Sequence, residues 1–393
     1  MREIVLMAPM QIKDHLGAGN IYDLVLCDFY AKARRLLGAD VTFPMLINVN
    51  GSPAEKMFGL EPKEVDIDAA VNNLINECKK YGISFDYVLR DDCNPLLQNI
   101  DADSRGALVN ECPKCGLAFG TDPNIKHCKK CGNPTVYHMK NVLLKDISHA
   151  EMLQRIEYSS YFPASVKIRL QDFIHSLPAR YQLLLEKQRS YTSNHNGIPL
   201  DPRFTAIMLL KQVVENEGSY DLLTCVSGDL VKKYVYYIFA YLDISPSNIV
   251  VHGLATGENN KKIRWQNEVD GLLNDLGVDK QELRTFFATN SPLKNITISA
   301  KSTRDNAIRM NKLKKKFMKI FDFELGHSMD DTLHEAIKLP LDLFSRSISS
   351  WRFAQALNNV ENIVNASLYI LENGELLSCQ EFNYLKGLYS LYF

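Results

Sequence analysis

The chain lacks any apolar run of about eighteen residues, the length an apolar helix needs to cross a bilayer. Its first apolar stretch is too short for a secretory signal peptide. Net charge is also nearly absent, with 45 Lys+Arg against 46 Asp+Glu, so nucleic-acid binding would require a local patch. Internal repeats and low-complexity tracts are missing. We therefore expect a soluble cytoplasmic protein without a membrane partner.

The length of 393 residues suits two or three domains, and 46% hydrophobic with 23% charged residues is ordinary for a globular protein. Four of the nine cysteines stand close together. The remaining cysteines are scattered, as buried small hydrophobic residues are, and we assign them no chemistry: Cys27, Cys78, Cys93, Cys225 and Cys379.

Strand-like and helix-like segments alternate over the first 90 residues. The pattern predicts strands at 3–8, 39–51 and 83–91, with helices at 20–38 and 67–82 between them. This β-α-β-α-β order predicts an α/β fold with a Rossmann-type parallel sheet. Ligands of such sheets bind beyond the carboxyl ends of the strands. Those ends hold the sequences PMQIKDHLG and INVNG.

The stretch APMQIKDHLGAGNIYD (8–23) joins the first strand to the first helix and places His-Leu-Gly in the turn. A glycine-containing turn before a helix directs backbone N–H groups and the positive end of the helix dipole at one point, where an anion can bind. The stretch is therefore either a phosphate site or a plain structural turn.

Two Cys-x-x-Cys pairs, CPKC and CKKC, are separated by 12 residues. Each pair on a tight turn supplies two thiolates, and the two turns together complete a tetrahedral Zn²⁺ site. Gly116 and Gly132 follow the pairs, where such turns use a left-handed residue. Two unrelated redox pairs are the alternative. The expected structural zinc ligands are Cys112, Cys115, Cys128 and Cys131.

The order of these motifs resembles the class I aminoacyl-tRNA synthetases, and methionyl-tRNA synthetase in particular. HLGAGNIYD is similar to the family's His-Ile-Gly-His element, and SGDLVKKYVYYIFAYL (227–242) to its Gly-Lys-Asp helix. NIVVHGLATGENNKKIRW (248–265) is similar to the run into the Lys-Met-Ser-Lys-Ser loop. The four cysteines occur where the family has its connective-peptide zinc knuckle.

The resemblance implies six successive segments. They are the first half of the catalytic core (1–104), the zinc-knuckle insert (105–140), a helical connective section (141–195), the second half of the core (196–265), a helical segment that contacts the tRNA stem (266–325) and a truncated anticodon-binding-like bundle (326–393).

An ATP site is implied by the same resemblance. His15 would donate to a phosphate, and Gly17 would let the adenine approach. Asp229 would hold a ribose hydroxyl or simply cap its helix. Lys261 and Arg264 would close over the phosphates, although solvated loop charges are the alternative. The catalytic candidates are His15, Lys261 and Arg264, and ATP would carry Mg²⁺.

Several positions depart from the family's pattern. Ala18 stands where the second signature histidine belongs, and Asn48 where an acidic residue receives the substrate ammonium. Tyr234 replaces the histidine of the methionine pocket, which Pro9 and Met10 would also line. Losing one transition-state donor costs roughly 2.7–4 kcal/mol in other enzymes. Ordinary methionylation of tRNA is therefore not expected.

Two functions follow from this pattern. One is an ATP-dependent ligase that makes an aminoacyl- or acyl-adenylate from an amino acid or related carboxylic acid and transfers it to tRNA or another acceptor. The other is a catalytically degenerate module that senses nucleotide, amino acid or tRNA.

The segment RMNKLKKKFMKIF (309–321) concentrates positive charge on a predicted amphipathic helix. Its apolar stripe is Met310, Leu313, Phe317 and Ile320, and its cations are Lys312, Lys314, Lys315, Lys316 and Lys319. The lysines form either a solvated face or a face that contacts RNA phosphates.

Overall fold

The structure is a computed structural model that describes residues 2–12, 16–51, 57, 64–100, 103–114, 124–128, 131–158, 164–176, 180–185, 193–217, 221–227, 238, 248–257, 266–323 and 332–393. The strands in these ranges are β1 (Arg2–Met7), β2 (Met10–Gln11), β3 (Asp40–Thr42), β4 (Met45–Asn48), β5 (Val88–Arg90), β6 (Asp103–Glu111), β7 (Val136–Ser148), β8 (Arg180–Leu184), β9 (Asn194–His195), β10 (Ile198–Pro199), β11 (Asp221–Ser227), β12 (Asn248–His252), β13 (Ala255–Thr256) and β14 (Ile296–Thr297).

The helices in the same ranges are α1 (Ala18–Leu36), α2 (Glu64–Lys80), α3 (His149–Tyr158), α4 (Ala164–His175), α5 (Pro202–Glu217), α6 (Gln266–Leu276), α7 (Lys280–Thr289), α8 (Ala300–Phe321), α9 (Glu335–Ser349), α10 (Phe353–Glu372) and α11 (Cys379–Tyr392). Two 3-10 turns follow β5, at Asp91–Cys93 and Pro95–Gln98.

Two parallel ladders, β12-β11-β1-β3 and β2-β4-β5, confirm the predicted parallel sheet. Two chain segments run from one ladder into the other: β1 continues into β2 past Pro9, and β3 continues into β4 past Pro44. Proline has no N–H to donate, so the strand predicted at 39–51 is split at Pro44, and the strand predicted at 3–8 is followed past Pro9 by the short β2. The strand order is β5, β3/β4, β1/β2, β11, β12, with the first strand in the middle.

Helix α1 connects β2 to β3, and its buried side includes Ile21, Val25 and Phe29. It ends at a glycine, as the sequence predicts. Gly38 has φ of 84°, and the Ala39 N–H donates to the Arg34 carbonyl at 3.0 Å. This 6→1 bond satisfies a carbonyl that the last turn would otherwise leave without a donor.

The chain between β5 and β11 forms a separate antiparallel sheet in the order β6-β7-β8. The prediction of a helical section at 141–195 is therefore wrong in part, because the described residues of this range include β8 and the end of β7 as well as the helices α3 and α4. In β7, Leu143 and Ile147 have helical spacing but belong to a strand. Short apolar runs do not distinguish the two structures, and here cross-strand pairing decides. The expected loop before α5 contains the β9–β10 hairpin, which turns at Asn196 and Gly197, both with positive φ.

The described residues after 265 are mainly helical, as predicted, and several of these helices pack directly on α1. Phe29 contacts Phe353 and Tyr392 at ring-centroid distances of 4.8 and 5.2 Å, and Tyr30 stacks on Trp351 at 4.8 Å. The same hydrophobic core includes α7, α8, α9, α10 and α11. In the part of the chain that the structure describes, no helix combines the length and apolarity required to span a bilayer.

Candidate functional site

The carboxyl ends of β2 and β4 lie side by side and present the buried residues of the candidate pocket. Met10 pairs with Ile47, and the Ile12 N–H donates to the Asn48 carbonyl at 2.8 Å. Pro9 and Met10 are buried at this edge. The expected pocket positions 9, 10 and 48 therefore come together where ligands of a parallel sheet bind.

Helix α1 starts at the same edge. Gly17 is its N-cap and has φ of −78°, so the backbone at this position does not require positive φ. The first turn contains no acidic residue, which leaves the positive end of the helix dipole uncompensated by side chains. Ala18 is fully buried, so the position of the second signature histidine holds a methyl group inside the core.

The side-chain amide of Asn48 makes a hydrogen bond through its nitrogen and none through its oxygen within the described residues. Nδ2 donates to the Pro202 carbonyl at 2.6 Å, which ties β4 to the start of α5. Oδ1 is buried and has no hydrogen-bond partner among the residues the structure describes. Such an acceptor is costly to bury without a donor, by about 1–3 kcal/mol.

Asp91, which directly follows β5, lies in a polar cluster that sequence reasoning missed. Its carboxylate accepts the Val49 N–H and the Thr205 hydroxyl, each at 2.6 Å. Burial raises the pKa of Asp91 to about 6, although these hydrogen bonds work in the opposite direction. An acidic residue at the end of a predicted strand is a sequence signal for such a position; Thr205 gives no signal of its own.

Asn50 extends this cluster to the chain that returns from the insert. Its Oδ1 accepts the Ser193 N–H at 2.6 Å, and its Nδ2 donates to the Ser193 hydroxyl at 3.1 Å. The cluster therefore fixes β4, β5, α5 and the returning segment relative to one another.

His252 is the last residue of β12, and it is buried. Its Nε2 lies 3.1 Å from a carboxylate oxygen of Asp23, and its ring meets Tyr22 edge-on at 5.4 Å. Both partners belong to the first turns of α1. The end of β12 and the start of α1 are therefore neighbours, and sequence reasoning did not find Asp23.

Gly253 holds the sheet against the segment that precedes α8. Its N–H donates to the Pro292 carbonyl at 2.8 Å, and a Cβ at this position would lie 2.2 Å from the Lys294 carbonyl carbon. The backbone approach requires glycine, because any side chain would overlap Lys294.

Three of the four predicted zinc ligands are described, and their sulfur atoms lie within 4.8 Å of one another: Cys112, Cys128 and Cys131. Gly132 has φ of 72°, and its N–H donates to the Cys128 carbonyl, which forms the expected turn. The Asn133 backbone N–H lowers the pKa of Cys131 to about 6. Three clustered thiols, of which Cys131 has a lowered pKa, fit a Zn²⁺ ion.

The remaining predicted site residues lie outside the described residues and are not placed by the structure: His15, Cys115, Asp229, Tyr234, Lys261 and Arg264.

Helix α8 buries the predicted apolar stripe of Met310, Leu313, Phe317 and Ile320. Its lysines differ in the groups that they contact. Lys316 donates to Asn365 at 2.7 Å and Lys319 pairs with Glu372, so both are engaged with α10. Lys312 and Lys315 are exposed, and with Lys301 and Arg304 they follow the helical spacing of a stripe opposite the core.

Comparison with known proteins shows what the fold resembles. No protein-family model matches the chain. Leucine--tRNA ligase from Thermotoga petrophila is 27% identical over 179 residues, which are 40% of this chain and 22% of that enzyme. Methionine--tRNA ligase from Deinococcus radiodurans is 36% identical over 75 residues, which are 18% of this chain and 11% of that enzyme. The sequence matches thus span less than a quarter of these relatives.

Solved structures match over nearly the whole chain. Mycobacterium tuberculosis methionyl-tRNA synthetase bound by methionyl-adenylate has a TM-score of 0.69 and 13% identity, over 100% of this chain and 89% of that one. The leucyl-tRNA synthetase of Agrobacterium radiobacter K84, in a ternary complex with tRNA and LeuAMS, has a TM-score of 0.72 and 9% identity, over 99% of this chain and 83% of that one. The chain is thus similar to methionyl- and leucyl-tRNA synthetases and has the class I synthetase fold.

Proposed function

We propose that the protein is a synthetase-like ligase that activates a carboxylic acid with ATP. A carboxylate oxygen of the acid bonds to the α-phosphorus, the bond from that phosphorus to the bridging oxygen breaks, and pyrophosphate leaves with the electron pair. A hydroxyl or amine of tRNA or another acceptor then attacks the acyl carbon and gives up its proton, the bond from that carbon to the phosphate oxygen breaks, and AMP leaves with the electron pair. One observation carries the proposal: the start of α1 and the ends of β2, β4 and β12 meet at one edge of the sheet.

The chemistry assigned to this edge is mainly positioning and charge stabilisation. The dipole of α1 favours the phosphates, and the flanking His15, Lys261 and Arg264 are proposed to add positive charge from the two adjoining loops. Contacts of Tyr22 and Asp23 with His252 support this placement, because they join the segments that follow and precede those loops. Mg²⁺ would accompany ATP and neutralise phosphate charge.

The zinc site is proposed to be structural. Four thiolates with Cys115 as the fourth ligand leave no open coordination position. The metal would close the loop between β6 and β7, about which the antiparallel sheet folds.

A second function, nucleotide or acid binding without turnover, is favoured by the methyl group at Ala18. ATP–pyrophosphate exchange over a broad panel of acids distinguishes the two. Exchange with any acid supports the ligase. No exchange, in a protein that binds ATP in a titration, supports the binding module instead.

We also propose that the outward stripe of α8 contacts tRNA phosphates. Replacing Lys312 and Lys315 by Gln should lower the slope of log K against log salt by roughly 2, since each lysine–phosphate contact contributes about 1. The matched control replaces Lys316 and Lys319, which are engaged with α10. Equal slopes for the two double variants would argue against the stripe.

A further inference from the structure

Asn48 has a fixed orientation, because only an N–H can face the Pro202 carbonyl at 2.6 Å. Oδ1 must therefore point to the other side. The side chain is 1% exposed, and this oxygen has no partner in the described ranges. A buried acceptor without a donor is disfavoured, so the unpaired oxygen points to a donor supplied by another molecule.

Two neighbouring polar side chains, Asp91 and Asn50, are already engaged. Both oxygens of Asp91 accept hydrogen bonds, from Val49 and Thr205, and its side chain is 0% exposed. Both ends of the Asn50 amide are bonded to Ser193. Of these three buried side chains, Asn48 is the one that keeps an unbonded acceptor, its neutral amide oxygen.

A neutral acceptor suits a neutral donor. Burying an ammonium group requires a charged partner to offset its desolvation, whereas a hydroxyl needs only a hydrogen bond. An aspartate at position 48 would place a carboxylate oxygen against the Pro202 carbonyl, so the bond to Pro202 itself favours an amide at this position.

We propose that Asn48 determines substrate specificity, its Oδ1 accepting a hydrogen bond from an uncharged hydroxyl beside the carboxylate of the acid, so that α-hydroxy acids are preferred to free α-amino acids. This inference rests on the proposed ligase function. It names the class of acid that the same site takes.

Pyrophosphate exchange with matched pairs tests the inference: leucine and methionine, each against its α-hydroxy analogue. The hydroxy acids should give kcat/KM at least about tenfold higher within a pair. An equal or higher value for the amino acids overturns the inference and leaves the ligase function intact. Exchange with neither series overturns the inference, and it overturns the ligase function as well when the broad panel of acids also gives none.

The Asn48→Asp variant reports on the residue itself. Its ratio of hydroxy-acid to amino-acid activity should fall at least about tenfold, because a carboxylate restores a charged partner for ammonium. The ratio is measured on one preparation, so a lower folded fraction cancels. Asn48→Ala serves as the matched control and should lower hydroxy-acid activity without a comparable gain for amino acids. An unchanged ratio in Asn48→Asp contradicts the proposed contact.

Discussion

Asp91 gives the sharpest test of the polar cluster at the ends of β4 and β5. Burial raises its pKa from the ordinary 3.8 to about 6. Between these values the folded protein binds more protons than the unfolded chain, so this group lowers the free energy of unfolding as pH rises. Two pKa units correspond to about 3 kcal/mol. Burial of the ionised Asp91 therefore lowers the free energy of unfolding by this amount above pH 6 and has no such effect below pH 4.

Asp91→Asn removes the charge and retains the hydrogen bonds. The new Oδ1 accepts the Val49 N–H, and the new Nδ2 donates to the Thr205 hydroxyl, which turns to donate to the Pro202 carbonyl at 3.1 Å. The variant should therefore gain about 3 kcal/mol relative to wild type between pH 4 and pH 7.

Urea denaturation across this pH range, followed on wild type and variant together, measures the gain. Because only the difference is used, the titration of other carboxylates cancels. Asp91→Ala is the control: it removes the charge but leaves the Val49 N–H without an acceptor, and it should be less stable than Asp91→Asn at every pH. A difference between Asp91→Asn and wild type that does not vary with pH would refute the assignment of a buried, titrating carboxylate.

Two further predictions concern parts of the molecule remote from this cluster. Metal analysis should find zinc bound stoichiometrically, and Cys128→Ser should lose the metal and melt at a lower temperature in thermal unfolding. A wild-type protein that contains no metal, and whose melting temperature does not change on chelation, would contradict this prediction. Arg284→Met should cost about 1–3 kcal/mol, because the buried guanidinium joins Asp28 on α1 to the Leu391 carbonyl on α11. The matched control is Arg309→Met, which removes a half-exposed guanidinium and should lower the free energy of unfolding in chemical denaturation by less than about 1 kcal/mol. Equal losses in the two variants would count against the stabilising role of the buried Arg284.

Local sequence patterns predicted much of the fold. The pattern of apolar residues predicted strands that overlap β1, β3, β4 and β5, with the third predicted strand (83–91) reduced to Val88–Arg90. It also predicted α1 and the amphipathic face of α8, because one face of each element must leave water. Gly38 ended α1 because a left-handed residue is needed there. The antiparallel β6-β7-β8 sheet was missed, since cross-strand partners distant in sequence leave no local period.

In the candidate site, too, some features were predicted from local sequence and others depended on tertiary structure. Strand ends and the cysteine spacing are local features, so the sequence by itself determined the edge at which Asn48 lies and the grouping of Cys112, Cys128 and Cys131. Only tertiary structure decided that the Asn48 amide is half bonded, by bringing Pro202 to it across 154 positions of sequence. Hydrogen bonding at a buried atom depends on which groups the fold brings within about 3 Å, and that information is not present in any one segment.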